Sequence, residues 1–443
     1  MRLLLPLTLA LTLAPLDAGA AELPFQLKAT ALDNGMRLVM VPYASPGLIA
    51  YYTMVRVGSR DEVEPGVTGF AHFFEHMMFR GTDQHPPERV DALLKKTGAD
   101  QNGFTTDDFT CYTFFGSNSE LEALIAYEAD RVQNLKYTED VFRTEAKAVL
   151  GEYNKSASSP YLKLEERLRE LTFKAHTYGH TTMGFLKDIE AMPEKYEYSK
   201  TFFQRFYTPH NITLIVVGDF DPAKLEALVR QHYGAWTRPK VESAVKAEPP
   251  QAKEIRDVIP WKTPTLPLLS MSWRTPATDY TKAETAVYNV AFELLFGRIS
   301  PLYTELVLDQ QLVDDFDDWS RNFRDPNVFQ VIAKVKDPAK LEQVERRIDR
   351  AISDMASGKT AAQLLADVKA HVKYGLLLGL DTPPKIAGMI AFGIAPTGEL
   401  DGLAKLLAGI ERVTLKDVQS FAKSHLVAKK RAVLVVKTEE AGR

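Results

Sequence analysis

The 443-residue chain carries a single cysteine, Cys111. No intramolecular disulfide can form, so the fold has to hold by core packing even in an oxidising compartment. Positive charge is not in excess either: 54 Lys and Arg stand against 58 Asp and Glu, a formal net charge of −4. That leaves no field to attract phosphate backbones and argues against nucleic acid as a partner. The short basic cluster Lys429, Lys430 and Arg431 reads as a solvated turn before a strand. Beyond the first residues, no apolar run is long enough to cross a bilayer. What remains is ordinary globular composition, 45% apolar and 25% charged, which at this length supplies two or more packed cores.

One apolar run does occur, at the start. The stretch "MRLLLPLTLALTLAPLDAGAAELPF" has one early cation, Arg2, an apolar segment from Leu3 to about Leu16, and Ala18-Gly19-Ala20 as an A-x-A-like cleavage site. This is the pattern of a secretory signal peptide over 1–20, with the exported chain starting near Ala21 or Glu22. The run is short for a membrane span. The sequence therefore points to a soluble exported protein, periplasmic in a Gram-negative source, with a membrane-tethered form as the weaker alternative.

After the signal, β-rich runs at 37–41 and 48–57 follow an Asn-Gly turn at Asn34 and Gly35. In 69–80, Phe70, Phe73, Phe74, Met77 and Met78 recur at spacings of three and four, which predicts a helix. The segment 102–116, "NGFTTDDFTCYTFFG", is rich in Thr, Phe and Tyr and reads as a strand or hairpin arm. Helices are expected at 121–134, 138–155 and 222–231, and a buried strand at 212–217. Residues 237–262 bear prolines and charges without an apolar period, the composition of a linker.

The two sides of that linker look like copies. "YSKTFFQRFYTPHNITLIVVGD" in the first half matches "DVQSFAKSHLVAKKRAVLVVKT" in the second, each an amphipathic helix followed by a Val/Ile/Leu strand. "HFFEHMMFRG" likewise matches "NVAFELLFGR" at 289–298. The expectation is a duplicated α+β fold: two sandwich-like domains, 22–236 and 263–443, each a mixed sheet with helices packed on it. In the second copy Asn289, Phe292 and Glu293 take the places of His72, Glu75 and His76. Whatever chemistry the first helix performs, its twin does not repeat it.

Positions i and i+4 of a helix share a face, so His72 and His76 can present ring nitrogens to one ion. Glu75, at i+3 from His72, borders that face. A lone histidine on an apolar face is usually a core residue, but this pair with its carboxylate arises by chance in roughly one chain in a hundred of this length. A catalytic zinc site takes three protein ligands and leaves a position for water, so one more ligand is needed. The helix "TEDVFRTEAKAVLGEYNK" offers Glu139, Glu145 and Glu152, the last two on one stripe two turns apart. Spacing alone does not choose among them. His176 and His180 in "HTYGH" lie in a Gly/Thr-rich loop and read as structural.

H-x-x-E-H is an inverted zinc motif. With His72, Glu75, His76, the following "MMFRGT", Glu145 and Glu152, the sequence resembles the pitrilysin and insulysin family of inverted zinc metallopeptidases. Its length and two-domain organisation resemble the short-chain branch that contains the mitochondrial processing peptidase. The resemblance implies a zinc endopeptidase forming half of a clamshell. It implies Zn2+ held by His72, His76 and Glu152, which lies about seventy-six residues past the second histidine as the family requires. Glu75 would be the general base toward the attacking water, and Glu145 would orient a ligand. The strand starting at Asn102 would be the edge to which an extended peptide adds, with Asn102 bonding the substrate backbone.

The chain departs from the family in its second half. Many active members carry an arginine and a tyrosine there that reach the substrate carbonyl and the developing oxyanion. In "PLYTELVLDQQLVDDF", Val307 holds the arginine place and Asp314 the tyrosine place. Neither can donate as needed, and a carboxylate would repel an oxyanion. Tyr303 or Arg298 could substitute only along a different loop path. The expectation is a homologous partner subunit that supplies the missing pair. The alternatives are a homodimeric peptidase active alone and a non-catalytic scaffold of the same fold.

Overall fold

The computed structural model describes residues 23–319 and 322–439, so the expected signal peptide lies outside the described residues. Six strands, β1 (Lys28–Ala31), β2 (Arg37–Pro42), β3 (Leu48–Val55), β4 (Asp100–Thr105), β5 (Thr110–Ser117) and β6 (Ile212–Gly218), form one sheet in the order β1-β2-β6-β3-β5-β4. Five more, β7 (Ile255–Trp261), β8 (Leu268–Thr275), β9 (Val313–Trp319), β10 (Asn327–Val335) and β11 (Arg431–Thr438), form a second in the order β7-β11-β8-β10-β9.

Apart from β1, the two sheets have one topology. The first strand of each, β2 or β7, runs parallel to the last, β6 or β11. That last strand is antiparallel to β3 or β8, which leads on to the outer hairpin β5-β4 or β10-β9. The matched segments seen in the sequence are helix Tyr196–Phe206 before β6 and helix Leu415–His425 before β11. The fold is α+β, as the duplicated pattern implies.

The stretch that reads as a linker has neither helix nor strand up to residue 254, but Ile255–Trp261 forms β7. Its apolar signal is weak because it pairs on one side only, with β11, and carries Pro260, which an edge strand tolerates. The preceding coil is tied down: the Glu248 carboxylate accepts the backbone N–H groups of Lys174, Ala175 and His176 at 2.8–3.0 Å.

Five helices position the site and join the two halves: α1 (Phe70–Met77), α2 (Glu139–Ser156), α3 (Pro160–Thr172), α4 (Ala283–Phe296) and α5 (Pro383–Ile394). α1 and α2 pack on the first sheet, where Phe70, Phe73, Phe74, Met77, Phe142, Ala146 and Val149 join one core. α4 occupies the corresponding place on the second sheet. The opposite faces of the sheets are covered reciprocally. α3, from the first half, sets Leu164 and Leu168 against Ile259, Leu268, Ile332, Leu434 and Val436 of the second sheet. α5, from the second half, sets Ile386, Ile390 and Ile394 against Val39, Val41, Ala50, Ile215 and Val217 of the first. Each such buried side chain contributes about 1.5–3 kcal/mol, so the exchange holds the halves together as one body.

Candidate metal centre and active site

α1 begins at a constrained point. Gly69, its N-cap, has φ 91°, and a Cβ there would lie 2.6 Å from the Met183 carbonyl oxygen; only glycine fits. The Glu62 carboxyl accepts the N–H groups of Gly69 and Ala71, each at 2.7 Å, satisfying two of the donors that a helix leaves without partners at its first turn. The aromatic stripe then fixes rotation about the axis. Phe74 stacks on Phe202 at 5.2 Å and Phe73 meets Phe142 at 5.0 Å, while Tyr112 donates to the Phe74 carbonyl at 3.1 Å. His72, Glu75 and His76 consequently share the remaining side.

α2 is capped by the Thr138 hydroxyl and sends Phe142, Ala146, Val149 and Tyr153 into the core. Of the three glutamates on this helix, Glu145 and Glu152 reach α1. Glu139 instead pairs with Arg143 at 2.9 Å on the surface.

One Glu152 carboxylate oxygen lies 3.3 Å from His76 Nε2 and 3.7 Å from His72 Nε2. One ligand atom from each of the three residues falls within 4.8 Å of the others, the single such group of His, Cys, Asp or Glu among the described residues. The other His76 nitrogen, Nδ1, lies 3.0 Å from Glu145. Burial alone would push the Glu145 carboxyl up, but hydrogen bonds from His76 and Arg80, with their charges, bring it below its ordinary value. An ionised carboxylate can only accept, so Nδ1 is the donor and a neutral His76 turns the lone pair of Nε2 toward Glu152. The hydrogen bond to Glu145, and the surrounding carboxylates, hold the His76 pKa above its usual value, although burial opposes them. Burial, with His76 beside it, pushes His72 down to about 4, and its buried Nδ1 has no hydrogen-bond partner in the protein.

Two imidazoles and a carboxylate converging this way suit a divalent cation. Ligand atoms around a tetrahedral zinc stand about 3.4 Å apart, close to the two separations to Glu152. The donor set therefore fits zinc.

Glu75 is half-buried beside this group. Burial raises its pKa, and a hydrogen bond from the Thr105 hydroxyl to Oε2, at 2.6 Å, opposes the rise. Thr105 ends β4, the edge strand of the first sheet, whose only strand neighbour among the described residues is β5. The strand starts at Asp100, two residues before Asn102. Gly103 passes so close to α1 that a Cβ would lie 3.1 Å from Glu75 Cγ. Asn102 is exposed, one residue along and so on the other face of the strand; its Oδ1 accepts from the Gly103 N–H at 2.8 Å. Thr105 and Arg80 are partners of the site that residue spacing does not single out.

In the second half, Val307 lies in a π-helical turn, Thr304–Asp309, and packs against the second core with Tyr303. Asp314, on β9, pairs with Lys334 at 2.9 Å, and Arg298 is exposed. His176 and His180 do not converge on a common point: His176 Nε2 contacts Asp325 at 3.0 Å and His180 Nδ1 contacts the Thr181 carbonyl at 2.9 Å. No helix among the described residues is long and apolar enough to cross a membrane.

Residues 50–185 match the model of the insulinase family, peptidase family M16, and residues 195–371 match that of the M16 inactive domain. The chain belongs to the M16, or pitrilysin, family of peptidases. The inactive-domain match includes α4, where Asn289, Phe292 and Glu293 stand at the places of His72, Glu75 and His76. The chain is 26% identical over 369 residues to the zinc protease PqqE of Helicobacter pylori, 82% of each chain being covered. Its fold is similar to that of a protease from Helicobacter pylori, with a TM-score of 0.86 at 24% identity over 93% of this chain and 99% of that one. It is also similar to the periplasmic protease PqqL from Escherichia coli, with a TM-score of 0.76 at 18% identity, covering 94% of this chain and 48% of PqqL.

Proposed function

We propose that this chain is the zinc-bearing subunit of an exported metalloendopeptidase that hydrolyses extended or unfolded peptides in a chamber closed by a homologous partner. The observation that carries this reading is the convergence of His72, His76 and Glu152 ligand atoms within 4.8 Å, with Glu75 and the open edge of β4 beside them. His72, His76 and Glu152 would hold the metal, and Glu145 would fix the His76 ring through Nδ1. A bound zinc supplies a Lewis acid that polarises the scissile carbonyl and acidifies water.

The remaining work falls to the chain's own groups. The outward N–H and C=O groups of β4 receive the peptide as an added strand, the Gly103 N–H once Asn102 Oδ1 gives it up, which gives affinity with little demand on sequence. Asn102, exposed on β4, would bond the substrate backbone next to that edge. Glu75, with Oε2 held by Thr105, offers Oε1 to take a proton from the attacking water and return it to the leaving amine. Donors for the oxyanion are wanting, since Val307 and Asp314 stand where the family's arginine and tyrosine would be. That favours a partner subunit as their source, and PqqL, of which this chain covers about half, supports a complete unit of roughly twice this size.

The test measures zinc content and peptide cleavage for the chain from Ala21 onward, alone and co-expressed with a homologue from its own genome. One zinc per chain, with fast cleavage only in the pair, is expected. Fast cleavage by the chain alone would remove the partner from the scheme, and absence of zinc from both preparations would sink the peptidase reading.

A further inference from the structure

Glu75 is held from the last residue of β4, Thr105, and the turn that follows directly is held by the second half of the chain. β4 and β5 form a hairpin whose turn, 106–109, closes through the Thr106 N–H to the Phe109 carbonyl at 2.8 Å. Two aspartates sit in this turn, where solvated residues are usual, yet both are buried. Asp107 receives both terminal nitrogens of Arg169, at 2.7 and 3.0 Å, and the Ser59 hydroxyl at 3.0 Å. Arg169 belongs to α3, the helix lent to the second sheet. Asp108 receives the Tyr178 hydroxyl at 2.6 Å and the backbone N–H of Arg324, from the second half, at 2.9 Å. Next to it, Asp325 is held by Arg60 and by His176.

We propose that the second half positions the general base through this hairpin: segment 322–325 clamps the turn at Asp108, and the hairpin passes the constraint to Glu75 through Thr105. An edge strand that is to accept a peptide needs to be ordered beforehand, because ordering it at binding would be charged against affinity. β5 secures one side of β4 and the substrate needs the other, so the turn is where an additional anchor can act without blocking the edge. Thr105 is the last paired residue before that turn, and its hydroxyl fixes which carboxylate oxygen of Glu75 is left free. The zinc-less half thus has a task in the active site of its own chain. The inference rests on Glu75 serving as the base of the proposed peptidase.

Two measurements on the full chain test it, with the partner chain present where cleavage requires it. Amide hydrogen exchange over 100–117 needs no turnover. Asp108→Ala, and the milder Tyr178→Phe, are expected to speed exchange there roughly tenfold with zinc content unchanged; unchanged exchange in both overturns the clamp. For the link to the base, Thr105→Val is expected to lower kcat about tenfold with KM within about twofold, and Thr105→Ser to restore it. Asp108→Ala should then lower kcat in the unsubstituted background but by less than about twofold once Thr105→Val is present. Additive losses would mean that the clamp does not act through Thr105. If the unsubstituted protein neither holds zinc nor cleaves, the peptidase reading fails, and the exchange experiment still decides the clamp.

Discussion

At His76 one ring serves two carboxylates, Glu145 through Nδ1 and Glu152 through Nε2, so the roles of the site's glutamates can be separated by substitution. Glu152→Gln is expected to reduce zinc retained after dialysis. Glu75→Gln should leave zinc in place while lowering cleavage about 10²–10⁴-fold; equal zinc loss in both variants would contradict the division of labour. The spacing of His72, Glu75 and His76 was legible because a helix turns periodicity into a shared face. Glu152 was one of three candidate glutamates on its helix, and only the family's spacing singled it out, since its distance from His76 in sequence says nothing of the packing of α1 on α2. Thr105 left no signal at all: a threonine in a β-rich run looks like any other, and its partnership with Glu75 is a product of tertiary structure.

Elements were read unevenly, for reasons of burial. The fully buried β6 and the strongly periodic α1 announced themselves, whereas β7 did not, because one-sided pairing and Pro260 leave it without the usual pattern. Helix α1 also depends on a residue outside its apolar stripe. Gly69→Ala would force a left-handed alanine against the Met183 carbonyl, costing about 2 kcal/mol or more. A chemical denaturation midpoint within error of the unsubstituted protein would show that the loop at Met183 yields instead. The distance between the copied segments suggested the duplication, but the helices exchanged between the halves were invisible, as α3 and α5 carry ordinary amphipathic patterns that do not say which sheet they cover.

The molecule as a whole is joined by charge as well as by apolar packing. Burial would raise the Asp325 carboxyl, but hydrogen bonds from His176 and Arg60, and their charges, hold it well below the usual carboxylate range. Its folded pKa is thus lower than its unfolded value of about 3.9. The stability it contributes is present above that pH and is lost as pH falls toward the folded pKa. Asp325→Asn should lower the melting temperature near neutrality and flatten its decline below about pH 4; parallel curves for the two proteins would show that the junction does not titrate there.

The reciprocal covering of the sheets has a consequence for how the chain can be divided. A cut in the coil between 236 and 255 yields two fragments, each lacking the helix that shields one face of its sheet and each carrying a helix made for the other. Expressed singly, either fragment should be insoluble or aggregate. Expressed together, they should recover one another as a nicked protein with a single unfolding transition, so the covalent link is dispensable where the exchanged helices are not.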